Sequence, residues 1–140
     1  ENHTFVLPQT ELAVAVLRRA LVGKVTEVGD NWAEITSIIE PESSVGALVT
    51  RTQDIAIAEG DLGLKDKGKL KLSFIADSAG LVAGDSIETS GIGGVYPKGL
   101  LIGTVSEILT DSAKNTNYAV VDTEVDFERI REVMVIKSKQ

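Results

Sequence analysis

Apolar and polar positions alternate along most of this chain, in short stretches separated by glycine, proline, asparagine and aspartate. The clearest case is Leu70, Leu72 and Phe74, interleaved with Lys71 and Ser73. A period of two marks a strand with one face buried and the other in water. Leu21 to Val28, Trp32 to Ile39, Val45 to Arg51, Asp54 to Ala58, Asp85 to Thr89, Gly99 to Leu109, Tyr118 to Val125 and Val133 to Lys137 read as further strands. Turns such as Gly29-Asp30-Asn31, Glu40-Pro41 and Glu59-Gly60-Asp61 close them. Strands at this spacing predict an all-β sandwich or barrel. A parallel α/β fold is disfavoured, because no long amphipathic helices separate the strands.

Residues 1–20 read differently. Thr10 can cap a helix from Glu11 to Ala20, with Arg18 and Arg19 near its C-terminal end, where the helix dipole favours cations. The apolar run Leu12 to Leu17 fits a buried strand equally well, since periodicity does not separate the two at this length. The cap and the arginines tip the reading towards a helix. Asp126 to Ile130 predicts one helical turn capped by Asp126. Gly60 to Lys69, polar and glycine-spaced, is the best candidate boundary between two small β units. The expected division is therefore 1–20 as an N-terminal segment, helix or tail, then 21–68 and 69–140 as two small β-barrels, with exchange of strands between them left open.

Composition sharpens this picture. Of 140 residues, 43% are apolar and 25% charged, but only 4% are aromatic. The core must then be mostly Val, Ile, Leu and Ala, and the β-branched residues among these favour strands. Fourteen basic against 21 acidic residues give a net charge of −7, which repels nucleic acid and anionic lipid. The absence of cysteine removes disulfides, thiol catalysis and Cys-type zinc sites. No apolar run approaches the roughly 20 residues of a spanning helix, and none reads as a signal peptide. The chain is expected to be soluble as it stands, and compatible with excision from something larger.

No catalytic set emerges. The sole histidine, His3, lies in a terminal stretch, and a serine triad needs a histidine base. Every lysine sits among glycines, charges or turn residues and reads as solvated. Asp61, Asp66 and Asp77 lack the spacing of a calcium loop, and Glu40 and Glu42 read as solvated turn carboxylates. No cofactor or metal is expected. Gly91-Ile92-Gly93-Gly94-Val95-Tyr96-Pro97-Lys98-Gly99 invites a phosphate-loop reading. It lacks the Gly-Lys-Ser/Thr order, however, and a strand rather than a helix follows it. Its glycines fit a tight irregular turn. Leu81 to Ile87, with Gly99 to Gly103, suggests a PDZ-like peptide-binding module. The order of the two elements is reversed from that module, and its helix is missing. Trp32, the only tryptophan, reads as a core anchor under a strand, with a ligand platform as the alternative.

Several segments together resemble the bacterial rod-shape-determining MreC family. They are Leu21 to Val25 with Asn31-Trp32, Ser43-Ser44-Val45 leading to Arg51-Thr52, Gly84-Asp85, and Thr89 to Gly99. Ile102-Gly103 with Val105, Asp126-Phe127 and the closing Val133 to Ile136 complete the set. The stretch Ser90-Gly91-Ile92-Gly93-Gly94-Val95-Tyr96-Pro97-Lys98-Gly99 is the specific one. Thr4 to Ala20 departs from the family, which carries an additional strand and a glycine-led turn there. The resemblance implies two small β-barrels, held on the extracytoplasmic face of the cytoplasmic membrane by an upstream anchor and coiled coil. It further implies a non-catalytic scaffold of wall elongation that controls rod shape and organises peptidoglycan synthases. Its implied partners are the elongation-specific penicillin-binding transpeptidase, MreD, MreB and RodA, with self-association. A scaffold needs surface rather than chemistry, and the expected contact surface is the projecting turn at Ile92, Val95 and Tyr96. The competing expectation is that Tyr96 packs the turn onto its own barrel.

Overall fold

The computed structural model describes residues 11–73, 80–114 and 116–139. Ten strands and one short helix follow in chain order: β1 Glu11–Leu17, β2 Ala20–Val28, β3 Ala33–Ser37, β4 Ser44–Val49, β5 Ile55–Glu59, α1 Leu62–Lys65, β6 Lys69–Ser73, β7 Ser86–Thr89, β8 Leu101–Asp111, β9 Thr116–Thr123 and β10 Met134–Lys139. All ten strands belong to one hydrogen-bonded sheet running β10-β1-β2-β8-β7-β4-β5-β6-β9, with β3 on β2. Pairing of β9 back onto β8 closes β8-β7-β4-β5-β6-β9 into a six-stranded barrel. The other four strands form an antiparallel sheet, β10-β1-β2-β3. The two parts join through a single parallel bridge, Ala20 opposite Leu101, where the Leu101 N–H donates to the Arg19 carbonyl at 2.9 Å.

The strand pattern holds, and the aliphatic composition explains the core. Leu21, Ile38, Leu70, Leu72, Ile87 and Ile102 are fully buried, each contributing about 1.5–3 kcal/mol of apolar transfer. The main core draws Val14, Val16, Leu21 and Ile38 from the β1–β3 region together with the barrel interior. A smaller cluster, Ala15, Ala20, Val22 and Val125, lies on the other face of β1 and β2. Register shifts at Ile87/Glu88 and Val105/Glu107 bend the barrel strands, as closure into a barrel requires, and those at Ala15/Val16 and Val25/Glu27 bend the sheet beside it. At one of these bends a Cβ on Gly103 would lie 2.1 Å from the Asp122 carbonyl oxygen, so only glycine fits.

Four expectations are corrected. The favoured helix at 11–20 is the β1 strand and the hairpin turn into β2, with Arg18 in the left-handed region at φ 59°. Its run lacks alternation because both faces are buried: Val14 and Val16 enter the main core, Ala15 the smaller cluster. The stretch 60–69, expected as a boundary between two β units, instead joins two neighbouring barrel strands, and Asp61 accepts from the Gly63 N–H at 3.0 Å to start α1. Asp126 to Ile130 forms a turn, not a helix. There Asp126 Oδ1 accepts from the Glu128 N–H at 3.1 Å and its carbonyl accepts from the Arg129 N–H at 3.1 Å. Trp32 is 53% exposed at the tip of the β2–β3 hairpin, beyond the last core-facing position of β3.

The cut placed at residue 68 falls between β5 and β6, which pair through Ile57, Ala58 and Glu59 opposite Ser73, Leu72 and Lys71. Strands group instead as 44–123 in the barrel and as 11–37 with 134–139 beside it, β10 crossing over to pair with β1. His3, Phe74 and Asp77 lie outside the described residues.

Candidate interaction surface

The turn between β7 and β8 is built by Thr89, which is fully buried. Its hydroxyl donates to the Pro97 carbonyl at 2.5 Å and accepts from the Leu100 N–H at 2.8 Å. Its own N–H donates to the Leu100 carbonyl, and its carbonyl accepts from the Gly99 N–H. Four bonds through one residue close the loop into a ring. Gly91 turns the chain at φ 79°, where a Cβ would also sit 3.0 Å from that of Lys98. Ser90 fastens the ring to the barrel: its N–H donates to the Gly46 carbonyl at 3.0 Å, and its Oγ accepts from the Ile92 N–H at 3.1 Å.

The three residues expected here as a contact surface separate. Tyr96 is only 8% exposed and belongs to the main core. Burial pushes its phenol pKa up, with the nearby Ser43, itself buried, exerting a smaller opposing effect. Tyr96 therefore seats the turn on its own barrel rather than projecting from it. Val95 is half-buried against the same core. Ile92 is 64% exposed and lies over Gly46, where a Cβ would come 3.2 Å from the Ile92 carbonyl oxygen.

Gly46 places Ile92 beside residues that sequence reasoning did not single out. In the β4–β5 pair, Val45, Ala47, Val49, Ala56 and Ala58 face the core. The alternate positions pair on the outside, Gly46 opposite Ile57 and Leu48 opposite Ile55. Ile55 is 49% exposed, Ile57 half-buried and Leu48 nearly covered. Ile92, Ile57 and Ile55 thus present an aliphatic strip on the barrel exterior, with Leu48 covered between them. Its signal in sequence is the alternation Ile55-Ala56-Ile57-Ala58: a narrow barrel interior takes the alanines, so the larger isoleucines face out. Glu88, which accepts from the Thr50 hydroxyl at 2.7 Å, borders the strip on one side, and the opposed pair Glu59 and Lys71 on the other.

The stretch that suggested a peptide-binding module has another job. Asp85 receives Arg51 Nε at 2.8 Å and Nη2 at 2.9 Å, and the Val82 N–H at 2.9 Å. Arg51 Nη2 also donates to the Gly80 carbonyl at 2.9 Å. The guanidinium hydrogen bond holds the Asp85 carboxyl below its ordinary pKa against the opposing effect of burial. The backbone N–H groups of Gly99, Leu100 and Leu101, which a terminal carboxylate would need, are taken by Thr89 and Arg19. The one helix among the described residues, α1, is four residues long. Among the described residues no three His, Asp or Glu side chains gather in a metal-holding group. No helix there is long and apolar enough to cross a membrane.

Comparison with known proteins gives one consistent answer. The family model for the rod shape-determining protein MreC, barrel core, matches residues 10–137. The cell shape-determining protein MreC of Geobacillus stearothermophilus is 32% identical over 134 residues, covering 90% of this chain and 46% of that protein. The chain therefore spans about half the length of the curated relatives it matches. The crystal structure of MreC from Pseudomonas aeruginosa superposes with a TM-score of 0.78 at 26% identity, covering 95% of this chain and 81% of that one. A complex between penicillin-binding protein PBP2 and MreC from Helicobacter pylori shares the fold, with a TM-score of 0.74 at 19% identity over 96% of this chain and 82% of that one.

Proposed function

This chain belongs to the MreC family of rod shape-determining proteins, and from that premise we propose that it is a non-catalytic scaffold that binds and organises peptidoglycan synthases during cell-wall elongation. The observation that carries the reading is the aliphatic strip Ile92, Ile57 and Ile55 on the barrel exterior. Single exposed apolar residues are ordinary, but a strip of them on a rigid surface suits a protein partner. The turn is held in place before any partner arrives, so little ordering cost opposes binding. The partner best supported is the extracytoplasmic part of the elongation-specific penicillin-binding transpeptidase, because the Helicobacter pylori relative is found with PBP2. MreD, MreB, RodA and self-association belong to the same reading, as does an extracytoplasmic place beside the cytoplasmic membrane, held by an upstream anchor.

Biolayer interferometry of this domain against that transpeptidase from the same organism tests the proposal. Saturable binding is expected. The double variant Ile55→Asp/Ile92→Asp should weaken it at least about tenfold, equivalent to about 1.4 kcal/mol. As both positions are largely exposed, thermal stability should change by no more than about 0.5 kcal/mol per site. Undiminished binding by a folded double variant removes the strip from the interface.

A further inference from the structure

The hairpin joining β2 to β3 turns through Gly29-Asp30-Asn31-Trp32, with the Gly29 N–H donating to the Trp32 carbonyl at 2.8 Å. Gly29 is not in the left-handed region, and its missing side chain leaves room for the indole of Trp32. A Cβ would lie 2.1 Å from Trp32 Nε1 and 2.2 Å from Cε2. One edge of the indole rests directly on the glycine backbone. Trp32 nonetheless remains 53% exposed and joins neither core cluster. It contributes little to folding for so large an aromatic.

The surroundings of the ring select among ligands. Glu27, Asp30, Asn31, Ala33 and Glu34 are all exposed. Along the hairpin, the Thr26 hydroxyl donates to the Glu34 carbonyl at 3.3 Å and the Thr36 hydroxyl donates to that of Thr26 at 3.5 Å. A protein anchor works within an apolar patch that excludes water, and no such patch surrounds this ring. A bilayer surface favours cations beside the aromatic, whereas here there are carboxylates. A pyranose fits both features. Its C–H face is apolar and slightly positive, which suits the negative π face of indole, and its hydroxyl edge suits carboxylate, amide and hydroxyl partners.

We propose that the Gly29–Trp32 hairpin tip is a stacking platform for a pyranose ring of a neutral oligosaccharide, the carboxylates at its rim turning away anionic polysaccharides.

Trp32 is the only tryptophan, so its fluorescence reports the site directly. Titration of the domain with tri-N-acetylchitotriose should give a saturable change in emission, half-complete on the order of 1 mM. Heparin should give none at the same ionic strength. Gly29→Val, which displaces the ring, should weaken binding about tenfold or more. Trp32→Ala removes only an exposed side chain and so covers the case in which Gly29→Val does not fold. It should abolish the sugar-induced amide shifts of Glu34 and Thr36 in NMR spectra. A linear, non-saturating response, or amide shifts that persist in Trp32→Ala, overturns the proposal. So does loss of transpeptidase binding in Trp32→Ala without any sugar response in the parent, which would make the ring a protein anchor.

Discussion

Tyr96 shows how one side chain can serve a surface it does not belong to. Its ring fills the main core, while Ile92, four residues earlier, stays in solvent. Truncation to alanine should cost about 3 kcal/mol, the range for a buried aromatic. Tyr96→Phe keeps the buried ring, loses only the hydroxyl, and should cost at most about 1 kcal/mol. Urea unfolding of both variants checks this ordering, and equal costs would mean that the hydroxyl rather than the ring seats the turn. Sequence marked this turn as the place to look, because glycine spacing and Pro97 identify a tight loop. It did not tell which side chains face out. An aromatic beside glycines reads the same whether it projects or folds back, and only the position of the barrel decides.

At the scale of elements, nine of the ten strands were legible and the sides of the strands were not. Period-two patterning works where one face meets water, as in β6, where Leu70 and Leu72 are buried and Lys71 is half-exposed. It fails in β1, whose two faces are both covered, and there capping residues pointed to a helix. It also hides the exterior isoleucines of β5, because hydrophobicity alone does not distinguish an inward alanine from an outward isoleucine. The Arg51–Asp85 pair ties the turn after β4 to the loop before β7, two elements brought together only by folding. Asp85 has a lowered pKa in the folded chain. Its contribution to stability is therefore complete above its ordinary value of 3.8 and is lost as pH falls through the lower, folded value. Melting temperature should fall more steeply below that point for the parent than for Asp85→Asn, which should be less stable than the parent at neutral pH. Parallel acid slopes in the two proteins would show that other carboxylates dominate.

For the whole molecule, the barrel and the four-stranded sheet share one main core, to which β1 and β2 contribute Val14, Val16 and Leu21. Phe127 touches both core clusters, from the segment that links β9 to β10. A cleft of about 770 Å³, lined in part by Ile39, Lys67, Glu124 and Phe127, opens beside it, so Phe127 has space on one side and packing on the other. Phe127→Ala should cost about 2 kcal/mol, below the range for a fully buried ring. Hydrogen exchange should then accelerate in β1, β2 and β10 more than in β4, β5 and β6, and a uniform increase would mean that the two parts do not separate. One consequence concerns load. The first described strand lies against the last, Glu11 opposite Lys139, with the chain entering and leaving at the same end of the pair. Tension between those two points does not shear the ladder all at once. It opens β10 from β1 like a zipper, one residue pair after another, so the outermost hydrogen bonds yield to a gentle pull while the barrel behind them stays closed.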